Sequence, residues 1–113
     1  MKRQYSLKRK KEFGYVYRNG KSVACRNLVL IYKNNNTGFL RVGFSVSKKI
    51  GNAVVRNLIK RRLRAALDMF LSDIDKNYNI IFIARVPIKE SSFTDIKESV
   101  EYALCKAGLV QKP

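Results

Sequence analysis

The chain has 113 residues, enough for one compact domain with one core and too few for two. Hydrophobic residues make up 46% and aromatics 11%, which excludes a disordered chain. The net charge of +16 costs stability by self-repulsion and points to a polyanionic partner. Residues 1–8 are polar and expected to fray. Over 9–18, Phe13, Val16 and Tyr17 recur at helical spacing and Gly20 follows as a stop. Gly14 weakens that helix by roughly 1 kcal/mol against Ala, so it must lean on tertiary packing. Residues 21–33, KSVACRNLVLIYK, are rich in β-formers and read as strand, as one piece or as two broken near Arg26 and Asn27. NNNTG at 34–38 is a turn, because Asn and Gly tolerate positive φ. It leads into a returning strand over 39–47, which predicts an antiparallel hairpin. Gly51 and Asn52 punctuate next, Asn52 as an N-cap, and a helix is predicted over 53–72. YNIIFIAR at 78–85 is apolar on both faces and therefore central, and Pro87 ends it. SFTD at 92–95 resembles a capping box. The last helix runs to about residue 106, with Ile96, Val100, Ala103, Leu104 and Ala107 inward and Gly108 as its C-cap. No repeat or linker divides the chain, so residues 1–113 read as a single domain. The order α-β-β-(β)-α-β-α is that of an α/β two-layer sandwich.

The charge is unevenly spread. Residues 1–67 carry 18 Lys and Arg against one acid, Glu12, whereas residues 68–113 carry 6 against 7. The first two thirds read as a surface built to face phosphates, and the last third as an ordinary solvated one. The sharpest stretch is SKKIGNAVVRNLIKRRLR at 47–64, with seven cations and no acid. On a helical wheel at about 100° per residue, Val55, Ile59, Leu63, Ala66 and Phe70 form a core face. Arg56, Asn57, Lys60, Arg61 and Arg64 fill an adjoining arc, with Leu67 at its core edge and Leu58 and Arg62 on the far side. Cations at i, i+4 and i+8 make a row about 12 Å long, enough to meet two neighbouring phosphates. Arg suits this work because its planar fork donates bidentately to phosphate. Lys48 and Lys49 stand just before the helix, whose N-terminus at Asn52 offers free N–H groups to an anion. A merely solvated face would intersperse Glu for i,i+4 pairing, and none is present here.

Phe13 and Tyr17, one turn apart, form either plain core or a wall on which unpaired bases stack. Strand alternation puts Val29 and Ile31 on one face, with Cys25 and Asn27 in line. Catalysis by the chain alone is not supported: there is no His, six of the eight acids follow residue 70, and no nucleophile–base or metal-ligand constellation is visible. Cys25 and Cys105 lack CxxC spacing and read as packing residues in a reducing cytoplasm. No apolar run reaches membrane-span length, and the basic start lacks the apolar stretch of a signal sequence.

The stretch VGFSVSKKIGNAVVRNLIKRRLR at 42–64 resembles the bacterial ribonuclease P protein family. Phe44 to Arg61 nearly completes that family's signature. KEFGYVYRNGKSVA, NYNIIFIAR and the acidic last helix fit as well, so the likeness spans about residues 7–109. Leu58 departs from it, standing where a basic residue is usual, as does Ile31, where some members have an aromatic. Tyr17 replaces the commoner Phe and keeps a stacking plane. The resemblance implies a mixed four-stranded sheet in the order α-β-β-β-α-β-α, like the second domain of ribosomal protein S5. It also implies a left-handed β-α-β crossover, where general rules predict the opposite hand.

The same resemblance implies an accessory subunit of a ribonucleoprotein endoribonuclease that removes the 5′ leader from precursor tRNA. The partners are then the ribonuclease P RNA and precursor tRNA, with no membrane and no obligatory protein partner. No cofactor is bound by the protein, and magnesium enters through the RNA. Lys48, Lys49, Asn52, Arg56, Asn57, Lys60, Arg61 and Arg64 would dock on RNA. A cleft lined by Phe13, Tyr17, Val29, Ile31 and the basic-helix edge would grip the single-stranded leader. The rivals are a ribosomal-type RNA-binding protein, a stand-alone nuclease, a duplex-DNA binder with the basic helix in a groove and a membrane-active cationic helix.

Overall fold

Tyr78–Ala84, the run apolar on both faces, is the strand around which the rest is built. The computed structural model describes Ser6, Leu7 and residues 10–110. In chain order these form α1 (Lys10–Asn19), β1 (Lys21–Ala24), β2 (Leu28–Asn34), β3 (Arg41–Ser45), α2 (Ala53–Asp68), β4 (Tyr78–Ala84) and α3 (Phe93–Lys106). Short 3-10 turns at Leu71–Asp73 and Val86–Glu90 flank β4. The sheet order is β1-β2-β4-β3, with β4 antiparallel to β2 and parallel to β3.

The expected hairpin between the second and third strands is therefore not formed. The turn at 34–38 does reverse the chain, with Asn36 at φ 52° and Gly38 at φ 75°. β4 then inserts between the two strands, because a strand apolar on both faces is stable only with neighbours and layers on both sides. The break near Arg26 and Asn27 is real: β1 and β2 are separate antiparallel strands joined there, with Cys25 N–H donating to Leu28 O at 2.9 Å. This bend also resets the alternation, so Cys25 and Asn27 do not line up with Val29 and Ile31. Asn27 is buried towards α3: its Nδ2 donates to Ser99 Oγ at 3.0 Å, and Ser91 Oγ donates to its Oδ1 at 2.8 Å.

Alternation sorts the rest. Leu28, Leu30, Val42, Ile80 and Phe82 face a layer made of α2 and α3, where Ile59, Leu63, Ala66, Leu67, Ile96, Val100, Ala103 and Leu104 are buried. Leu67 is thus core, not basic arc. On the opposite face Ile81, with Ile31 and Ile83, packs against Val16 of α1 and Leu7. α1 is a partial cover on that second face. Leu7 is pinned there, its N–H donating to Val42 O at 2.7 Å. Fraying therefore does not extend to Ser6 and Leu7; residues 1–5 and 8 lie outside the described set.

Val42 also shows the hand of the β3–α2–β4 connection. Its side chain faces the helical layer, while its carbonyl points to Leu7 on the outer edge of β3. For an L-residue whose side chain points at the viewer in a strand running upward, the carbonyl points right. β4 therefore lies on the left, and the connection passing in front is left-handed, against the general rule.

The caps follow the sequence closely. Ser92 and Asp95 form a reciprocal capping box on α3. Gly108, at φ 77°, sits just past the Ala107 cap and returns its N–H to Cys105 O at 3.1 Å. α2 ends at Asp68, four residues short of expectation. There the bonding tightens to the third residue back, with Phe70 N–H donating to Leu67 O at 2.9 Å. No helix among the described residues is long and apolar enough to cross a membrane.

Candidate nucleic-acid interface

The basic surface begins in a turn held from beneath. Val46 and Ile50 are buried, and Ile50 N–H donates to Ser47 O at 3.1 Å, so Lys48 and Lys49 between them are pushed into solvent. Gly51 lets this turn press on α2, since a Cβ there would lie 2.9 Å from Val55 Cγ1. Asn52 caps the helix: Val55 N–H donates to its Oδ1 at 3.0 Å. One end of its amide is thus committed to the fold, and only Nδ2 remains for a ligand.

Along α2, Asn57, Arg61 and Arg64 are exposed, and Arg56, Lys60 and Arg62 are half-buried. The first turn of α2 contains no acid. Among the described residues no carboxylate pairs with Lys48, Lys49, Arg56, Lys60, Arg61 or Arg64. Arg56 Nε is buried without a hydrogen-bond partner, so its guanidinium projects from a dehydrated stem. Arg64 lies over the Phe44 ring at 5.6 Å, and Phe44 in turn stacks on Phe82 with centroids 5.8 Å apart. This places Arg64 by a cation–π contact worth about 0.5–1 kcal/mol at an exposed site.

The other candidate residues occupy the opposite face of the sheet. Phe13 stands on Gly43, where a Cβ would come 2.4 Å from its Cζ. Its ring centroid is 6.3 Å from that of Tyr17, which is 42% exposed. Registers across the four strands align Ser22, Ile31, Ile81 and Gly43 in one row, of which Ile81 and Gly43 are buried beneath α1, Ile31 is half-buried and Ser22 is exposed. The next row, Ala24, Val29, Ile83 and Ser45, is not buried by α1 except in part at Ile83 and forms an open strip beside Phe13. Phe13, Tyr17, Val29 and Ile31 thus share one face, with Ile31 partly under the helix. Sequence reasoning missed Ile83 and Ser45, although the period of two in 78–85 already put Ile81 and Ile83 together. The basic-helix edge is not a wall of this strip, because the sheet lies between them. The two surfaces are linked through β3, where Gly43 supports Phe13 on one face and Phe44 supports Arg64 on the other.

A surface of unopposed cations on one side of a strand and unburied aromatics on the other is suited to a polyanion with unpaired bases. The family model for ribonuclease P matches residues 1–108. The ribonuclease P protein component of Oceanobacillus iheyensis is 43% identical over 112 residues, covering 98% of this chain and 93% of that protein.

The chain belongs to the ribonuclease P protein family.

Its role is that of the accessory protein subunit of a ribonucleoprotein endoribonuclease. The component from Caldanaerobacter subterraneus is also 43% identical, over 94% of this chain and 91% of its own length. Among solved structures, the Staphylococcus aureus ribonuclease P protein superposes with a TM-score of 0.88 at 40% identity, covering 95% of this chain and 98% of that one. The Thermotoga maritima ribonuclease P protein gives a TM-score of 0.79 at 26% identity over 86% and 92%. Among the described residues, no three His, Cys, Asp or Glu side chains are placed to hold a metal ion.

Proposed function

We propose that the chain docks on the catalytic RNA of ribonuclease P through Lys48, Lys49, Asn52, Arg56, Asn57, Lys60, Arg61 and Arg64. On its other face it holds the 5′ leader of precursor tRNA along Phe13, Tyr17, Val29 and Ile31. The observation that carries this reading is β3, where Phe44 lies under Arg64 of the cation-rich α2 on one face and Gly43 lies under Phe13 on the other. Two polyanions that repel each other are brought together by one small cation-rich body. The RNA, with magnesium it binds itself, breaks the phosphodiester bond. The protein supplies affinity and position in cytoplasmic tRNA processing, and no second protein is required. Leaders differ in sequence, so binding rests on phosphates and stacking rather than base edges.

The test is precursor-tRNA cleavage by the cognate RNA at low magnesium, with and without the protein. Cleavage should become faster and need less magnesium when the protein is present. Equal rates at every magnesium concentration would refute the reading.

A further inference from the structure

At the end of the sheet far from Lys48 and Lys49 lies a depression of about 170 Å³ lined by Asn19, Lys21, Tyr32, Lys33, Asn34 and Tyr78. It is separate from the open strip: Val29 and Asn34 are five steps apart along β2, roughly 17 Å at about 3.4 Å per residue. Its lining contains no carboxylate, whereas depressions beside α3 are lined by Asp95, Glu98 and Glu101. Tyr32 and Tyr78 are half-buried and packed against the main core, with ring centroids 6.1 Å apart and planes at 55°. They are thus rigid at the back and partly uncovered at the front.

The two amides are each half engaged. Asn19 Nδ2 donates to Tyr15 O at 3.0 Å, which leaves its Oδ1 as an acceptor. Asn34 Oδ1 accepts from Asn36 N–H at 3.0 Å, which leaves its Nδ2 as a donor. Aromatic faces, one spare donor, one spare acceptor and two cations together match a nucleobase and its phosphate.

We propose that this depression is a second RNA subsite holding one unpaired nucleotide, its base against Tyr32 and Tyr78 and its phosphate on Lys21 and Lys33. The inference rests on the RNA-binding role and deepens it. The nucleotide belongs either to the catalytic RNA or to the leader, and the chemistry of the pocket is the same for both.

Two measurements on the full chain test it. The sequence contains no Trp, so Tyr78→Trp places the only indole in the pocket. Its fluorescence should be quenched saturably by RNA. The Lys21→Ala/Lys33→Ala double variant removes exposed or half-exposed side chains and should keep the melting temperature. It should weaken binding about ten-fold at moderate salt and flatten the log–log salt slope by about 1.4.

The source is read by comparing partners. Weaker association with the ribonuclease P RNA alone assigns the nucleotide to that RNA. Unchanged RNA association, with a loss only for precursor tRNAs carrying a long leader, assigns it to the leader. If neither partner is affected while Arg56→Ala still weakens RNA association, the subsite is overturned and the main RNA-docking reading stands. If Arg56→Ala is also without effect, both fall.

Discussion

Gly43→Ala is the most informative single change. The new methyl would lie 2.4 Å from Phe13 Cζ and 2.8 Å from Cε1, so the ring must retreat by about 1 Å to regain ordinary contact. β3 is an edge strand, but Gly43 lies at its middle, paired in register with Ile81 of β4 and next to the Leu7–Val42 bond, so Phe13 moves rather than the backbone. Overpacking of this kind costs about 1–3 kcal/mol. For a chain of 113 residues, with about 2.1 cal/mol/K of unfolding entropy per residue, 2 kcal/mol lowers Tm by about 8 °C. If the ring is first removed by Phe13→Ala, the clash disappears. Ala is then preferred to Gly in a strand by about 0.5–1 kcal/mol. The sign of Gly43→Ala therefore reverses between the two backgrounds, with a coupling of about 2 kcal/mol or more. Urea or thermal denaturation of the four proteins measures it. In the assembled ribonucleoprotein, Gly43→Ala should weaken precursor-tRNA binding by up to about ten-fold, because a displaced ring loses its stack. Association with the catalytic RNA should be unchanged. The same cost for Gly43→Ala with and without the Phe13 ring would refute the packing argument.

Association with RNA should fall with salt at a log–log slope of about −3.5 to −4.5 if about five phosphates are neutralised, and a slope near zero excludes an electrostatic interface. Asn52 separates folding from binding. Asn52→Ala should cost about 1 kcal/mol of stability through the lost cap, while Asn52→Asp should keep the cap yet weaken RNA association by placing a negative charge beside Lys48 and Lys49. Denaturation and RNA titration on the two variants should therefore rank them oppositely. Asn27→Ala removes the bonds to Ser91 and Ser99, of which Ser91 Oγ keeps a longer one to Pro87 O, and should cost about 1–3 kcal/mol, measured by urea denaturation. Phe13→Ala and Tyr17→Ala should reduce precursor-tRNA binding more than assembly with the catalytic RNA, and an equal effect on both would move these rings out of the leader strip.

Local chemistry was legible where a short stretch decides its own conformation. The cap at Asn52, the box at Ser92 and Asp95, and the core stripe of Ile59, Leu63 and Ala66 all follow from spacing alone. What escaped depended on a partner distant in sequence. The strands over 28–34 and 41–45 look like a hairpin until β4, some forty residues on, takes the place between them. Asn27 looks like a continuation of the strand period, yet its partners Ser91 and Ser99 lie in the last third of the chain. The sites divide in the same way. The basic row was visible because a helix displays its own faces. Ile83, Ser45 and the Tyr32–Tyr78 pair became visible only once register aligned one strand with another. The early end of α2 falls between the two cases: Phe70 has the right period, but its neighbours turn in 3-10 geometry to reach β4.

The central position of β4 also orders events on the ribosome. A chain emerging from its N-terminus presents β1–β2, β3 and α2 before the strand that joins them exists. Until residue 78 is out, the exposed segment is almost purely cationic and has an unfilled gap where hydrogen-bonding partners should be. The bridging strand then arrives with only four acids, Glu90, Asp95, Glu98 and Glu101, against five cations, so closure of the sheet leaves the mutual repulsion in place. Strand pairing and charge neutralisation are thus separate events: the chain supplies the first from its own last third, and a polyanion is needed for the second.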